Sequence, residues 1–183
     1  MILETIVVTQ DEAGQPHLAP MGVHSWEGEI AILPYRPSQT LNNLLATGVA
    51  VVNATDDVRV FAGCLTGRLD FPLVPAKRIA CFRLRDALAH SELKLIEVAD
   101  DPIRPKLRCR IVHQENHAPF LGFNRAQFAV LEAAILVSRL NLLPIEEIET
   151  KLPSLRTLVD KTGGPREMQA WDWLMAKIQE VKR

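Results

Sequence analysis

Residues 34–43 read PYRPSQTLNN. Arg36 carries a fixed positive charge, Ser38 and Thr40 carry hydroxyls, and Pro34 and Pro37 stop any regular element before them. Two chemistries suit this stretch. In one, Ser38 or Thr40 caps a helix by accepting a backbone N–H, and Arg36 lies in solvent. In the other, the same helix start holds an anion. Its free N–H groups and positive dipole end face a phosphate, the hydroxyls donate to it, and Arg36 grips it with paired, charge-assisted hydrogen bonds. The Gly-rich pattern of a nucleotide P-loop is missing. A second stretch, Gly122-Phe123-Asn124-Arg125, has the same double reading. Asn124 is a helix cap with Arg125 in solvent, or the pair forms a second anion-binding helix end. Lys161 and Thr162, before Gly163-Gly164, mark another helix boundary that could converge with Asn124 and Arg125 over a ligand.

Other polar residues invite plainer readings. Glu132 and Arg139 are seven apart on one helix face and read as a buried structural pair. His113 and His117 follow a strand with no third ligand spaced with them, so no metal site is predicted there. His17 and His24 flank a strand, where a lone histidine is structural or a proton donor. Asp56-Asp57 reads as a loop pair. Cys64, Cys81 and Cys109 are scattered, odd in number and free of any C-x-x-C spacing, which points to a reducing compartment and the cytoplasm. No residue is singled out as catalytic.

The elements that must position these groups change period halfway along the chain. Residues 2–9, 17–24 and 30–33 read as strands joined by two turns, an antiparallel meander. Residues 40–47 read as a short helix ended by Gly48, and 49–53 as a fourth strand. Residues 58–65 suit a strand or a helix, and Pro72 and Pro75 interrupt the segment after them. Residues 90–98 and 106–113 are two more strands. From 124 to 140, Phe128, Leu131, Ile135 and Leu136 recur at helical spacing. Pro144, Pro153 and Pro165 each sit where a new helix can begin, and 166–181 is a last amphipathic helix. The reading is a β-barrel over 1–120 and a helical region over 121–183. A hydrophobic content of 48% supports a sizeable core, and a net charge of −1 gives no basic field for nucleic acid. The first residues lack the basic region of a signal peptide, and no apolar run is long enough for a membrane span.

The stretches ETIVVT, HLAPMGVH, PYRPSQTLNNLLATGVAVVNATDD, GFNRAQFAVLEAAILVSRLNLLP and VDKTGGPREMQA occur in order from near the N-terminus almost to the C-terminus. In them the chain resembles the domain of unknown function 447 family, within the FMN-binding split-barrel, flavin-reductase-like proteins. The resemblance implies a six-stranded antiparallel Greek-key split barrel with a C-terminal helical appendage. It also implies a homodimer with one FMN per protomer near the interface. Carried over, it puts Arg36, Ser38 and Thr40 at the phosphate, with Asn43 supporting them. Met21, Gly22 and Val23 would pass beside the flavin ring, and Asn53 would reach the ribityl chain or ring edge. The expected function is a flavoprotein, either an oxidoreductase of unknown substrate or a binding protein without turnover. The company kept by members of the similar family also suggests a link to tetrahydromethanopterin one-carbon metabolism. No G-x-G-x-x-G follows a strand, so no nicotinamide site is predicted.

Overall fold

The computed structural model describes residues 1–182. The chain divides into two compact units: Met1–Thr55 with Phe71–Phe120, and Asp56–Asp70 with Leu121–Arg183. The first is a closed, wholly antiparallel barrel. Its strands are β1 (Ile2–Gln10), β2 (Pro16–Trp26), β3 (Glu29–Ile32), β4 (Val49–Ala54), β7 (Ala89–Ala99) and β8 (Lys106–Asn116). They run around the barrel in the order β1-β2-β3-β8-β7-β4. Closure leaves the barrel no free strand edge. Alternate residues point inward, so Val7, Val23, Ile30, Ile32, Val52, Leu93, Leu107 and Cys109 fill the interior.

Helix α1 (Gln39–Thr47) adds Leu41 and Leu44 to that interior. Ser38 caps it by accepting from Leu41 N at 3.3 Å. Gly48 ends it at φ 69°, a left-handed conformation that glycine adopts without a Cβ clash. On the outer surface, Ile6, Val8 and Val51 are buried as well. Their cover is the segment carrying the short hairpin β5 (Leu73–Pro75) and β6 (Phe82–Leu84). Asn53 fastens that cover. Its amide donates to the carbonyls of Ile6 and Val51 and accepts from Leu84 N at 2.9 Å.

The second unit is a bundle of α2 (Val58–Thr66), α3 (Arg125–Val137), α4 (Ile145–Thr162) and α5 (Pro165–Val181). Residues 58–65 are thus a helix, and 56–70 belong with the C-terminal helices rather than with a barrel running unbroken to 120. Val58 and Ala62 pack with Ala126, Ala129, Val130, Ala133, Ile148, Val159, Trp171, Leu174 and Ile178. Three expectations are corrected here. Pro153 starts no helix; it lies inside α4. Ile148 and Val159, on either side of it, are fully buried in the same core, and that burial outweighs the lost backbone hydrogen bond. The buried stripe of α3 runs through its alanines, whereas Phe128 is exposed. Finally, α3 ends at Val137, so Arg139 lies beyond it, exposed, and makes no ion pair with Glu132.

Candidate functional site

The start of α1 brings together most of the residues expected at an anion. Ser38 is the N-cap, and its carbonyl accepts from Asn42 N at 3.2 Å. The N–H groups of Gln39 and Thr40, the first two of the helix, bond to no other described residue, so the positive end of α1 keeps two donors available. The Thr40 side chain is buried. Asn43, one turn on, is also buried; it donates to Thr9 Oγ1 and accepts from Gln39, which anchors α1 to β1. Arg36 stands in the exposed loop ahead of the cap. Its guanidinium meets Asp100 Oδ1 at 2.6 Å and the Asp101 carbonyl at 3.1 Å. An exposed pair of this kind contributes little stability, so an anion can compete with Asp100 for Arg36.

The other expected contacts fall elsewhere. Val23 is buried inside the barrel, and Met21 is packed against that core. Gly22 lies on the opposite face of β2, where a Cβ would come within 3.0 Å of Ile2 Cγ2 and 3.3 Å of Glu4 Oε1. The amide of Asn53 is engaged in fastening β6. Asn124 caps α3, accepting from Ala126 N and Gln127 N and donating to the Thr162 carbonyl at 3.1 Å. The start of α3 and the end of α4 therefore do converge within the helical unit. Arg125 succeeds the cap, exposed.

Two open clefts mark the barrel unit. One, of about 370 Å³, is lined by Leu3, Thr5, Val23, Ser25, Val52 and Gln114 among others. It opens at the Leu3–Thr5 end of β1, whereas Asn43 ties α1 to Thr9 at the other end. The second adjoins the first along Ala54, Ala89 and Asn116. Neither includes Arg36, Ser38 or Thr40. The thiols offer no nucleophile: burial pushes Cys64 and Cys81 up to about 11 and Cys109 up to about 12.

Residues that sequence reasoning left apart meet on the outer face of β7 and β8. There His90 lies opposite Glu115, and Glu92 opposite His113. Glu92 accepts from Lys77 N and Arg78 N, each at 2.7 Å, and holds the loop before β6. Burial alone would push its carboxyl up. Those two N–H groups, with the His90 ring, bring it below the ordinary value instead. A sequence signal existed in H-x-E at 90–92 and H-x-E-x-H at 113–117, but it needs the pairing register to become a cluster.

The closed six-stranded antiparallel barrel has the split-barrel fold. The chain belongs to the family described as protein of unknown function DUF447: the family's N-terminal domain matches residues 3–118 and its C-terminal part residues 124–176. The structure is similar to that of an FMN-bound DUF447 protein from Methanosarcina mazei. The TM-score is 0.84 at 21% identity, over 96% of this chain and 94% of that one. It is also similar to the 2-nitrobenzoate 2-nitroreductase of Pseudomonas fluorescens, with TM-score 0.55 and 21% identity over 62% and 64% of the two chains. Flavoredoxin of Desulfovibrio vulgaris matches with TM-score 0.54 and 14% identity over 63% and 70%. Among the described residues, no helix is long and apolar enough to cross a membrane.

Proposed function

We propose that this protein binds FMN and serves as a flavin-dependent oxidoreductase. The observation that carries the reading is the start of α1, where two unbonded N–H groups lie beside the Ser38 cap and the Arg36 loop. It lies in a fold that the FMN-bound Methanosarcina protein shares over nearly its whole length. These groups fit a phosphate in chemistry and in number. Arg36 and the N–H groups of Gln39 and Thr40 would hold the phosphate, with Ser38 and Asn43 keeping the helix start in place. Bound FMN supplies hydride and electron transfer that no amino-acid side chain provides.

The test is an FMN titration of the purified protein and two variants. Arg36→Ala removes a charge-assisted contact of roughly 1.5–3 kcal/mol, so affinity should fall about tenfold or more. Asp100→Ala removes the competitor for Arg36 and should leave affinity equal or improved. Arg36→Ala binding as tightly as the parent would refute the phosphate assignment, and a parent that binds no FMN would refute the function.

A second reading is FMN binding without turnover. None of Arg36, Ser38, Thr40, Asn43, Met21 or Asn53 is an acid or base near neutral pH, which favours it. Bleaching of the bound flavin by NADH or NADPH separates the two. A homodimer accords with the apolar Ile96, Val98 and Val112 exposed along β7 and β8, and light scattering gives its mass. The three free thiols accord with a cytoplasmic setting.

A further inference from the structure

The His–Glu cluster on β7 and β8 contains two atoms that the fold leaves unused. Within β4 and β7, Val52 faces Ser91 and Asn53 faces His90. Val52 points into the barrel, so Ser91 does too, and His90 and Glu92 point outward beside Asn53. The His90 and Glu92 side chains are fully buried there. His90 Nε2 is 3.2 Å from Glu92 Oε1, and His90 Nδ1 is 2.9 Å from His117 Nε2. The His90 and His117 rings stack at 5.0 Å, and the His90 and His113 rings meet edge-on at 5.7 Å. Lys77 Nζ takes Glu115 Oε1 at 2.7 Å. His113 Nε2 and Glu115 Oε2 remain. Both atoms are buried, neither has a hydrogen-bond partner among the described residues, and they stand 3.7 Å apart.

That separation is too long for a hydrogen bond. It suits two ligands that each sit about 2.0–2.2 Å from one ion. A ring nitrogen of His90 completes the set, since the ligand atoms of His90, His113 and Glu115 all lie within 4.8 Å of one another. We propose that His90, His113 and Glu115 bind a divalent first-row transition ion of the zinc type, with a fourth position left for water or another ligand. Two imidazoles and one carboxylate are a donor set this class of ion accepts. The surroundings supply what such a site needs. Whichever nitrogen His90 gives to the ion, the other still bonds to Glu92 or His117, which fixes the ring's tautomer and orientation. Lys77 is the opposing charge, and it engages the other Glu115 oxygen, Oε1. The proposal does not rest on the flavin reading.

The test uses untagged full-length protein stripped with chelator, then dialysed against micromolar Zn²⁺ and assayed for bound metal. In parallel, Co²⁺ is added and its visible spectrum recorded. One Zn²⁺ per chain is expected, together with Co²⁺ ligand-field bands that lack thiolate charge transfer. His113→Ala and Glu115→Gln should each weaken binding at least tenfold, in line with the loss of a ligand, and His24→Ala, outside the cluster, should not. If His113→Ala fails to fold, Glu115→Gln, which keeps the side chain's shape, decides the matter. The proposal is overturned if the stripped protein takes up no Zn²⁺. It is overturned equally if Glu115→Gln binds as the parent does, in which case the cluster is an ion-pair network only.

Discussion

Replacing Glu92 by glutamine alters one atom and disturbs both of the backbone hydrogen bonds that its carboxylate accepts. The carboxylate presents one oxygen to Lys77 N and the other to Arg78 N, and it is fully buried. Glutamine has a single acceptor oxygen, and its amide nitrogen is a donor. One of the two backbone N–H groups must then face another donor in a dry site. An unsatisfied buried donor costs about 1–3 kcal/mol, and the surviving bond falls from charge-assisted to neutral strength, roughly half. The expected loss is about 2–4 kcal/mol for the barrel unit, a large share of a domain's stability. The measurement is urea denaturation at neutral pH, in chelator so that no metal contributes, combined with hydrogen exchange at the amides of Lys77 and Arg78. The midpoint should fall and both amides should lose protection first. A midpoint shift worth less than about 0.5 kcal/mol, typical of surface changes, with both amides still protected, would refute the claim that Glu92 holds this loop.

Acid should weaken the barrel in two stages. Burial lowers His90 and His117 below 6.5, and the N–H groups and His90 ring, against burial, leave Glu92 below 4.5. For all three the unfolded chain binds protons before the folded one does. Stability is thus full above the unfolded values and falls as pH drops, first below about 6.5 and then below about 4.5. A melting temperature that stays flat or rises between neutral pH and pH of about 4 would contradict the assigned directions. In the other unit, Pro153→Ala restores a donor to the interior of α4 and should stabilise the bundle by about 1–3 kcal/mol. A lowered melting temperature would mean that the ring's own packing matters more.

The barrel was legible because its strands alternate. Residues 2–9, 17–24, 49–53, 90–98 and 106–113 all fall within observed strands, and 40–47 falls within α1 with Gly48 as its cap. The helical unit was less legible, for a physical reason. All but three of the thirteen residues of α3 are apolar, so spacing alone does not choose which side is buried. The choice belongs to the partners: Ala126, Ala129 and Ala133 let neighbouring helices approach closely, which leaves Phe128 outside. The membership of α2 was hidden in the same way, because the core that Val58 and Ala62 join is built mainly by residues after 120.

The same contrast separates the two candidate sites. The start of α1 is local, and its cap, hydroxyls and arginine could be read from ten consecutive residues. The His–Glu cluster depends on register. On an unbroken strand, His113 would share a face with Leu107, Cys109 and Ile111, which point toward the barrel interior. The pairing instead passes from Glu92 opposite His113 to Leu93 opposite Ile111, which makes Val112 an extra residue on β8. That bulge reverses the alternation beyond it. Ile111 stays with the core, while His113, Glu115 and His117 turn outward to meet His90 and Glu92. A single unpaired residue thus places imidazoles and carboxylates under the loop at Lys77 and Arg78, and gives the outer face of the barrel a chemistry that no one strand carries.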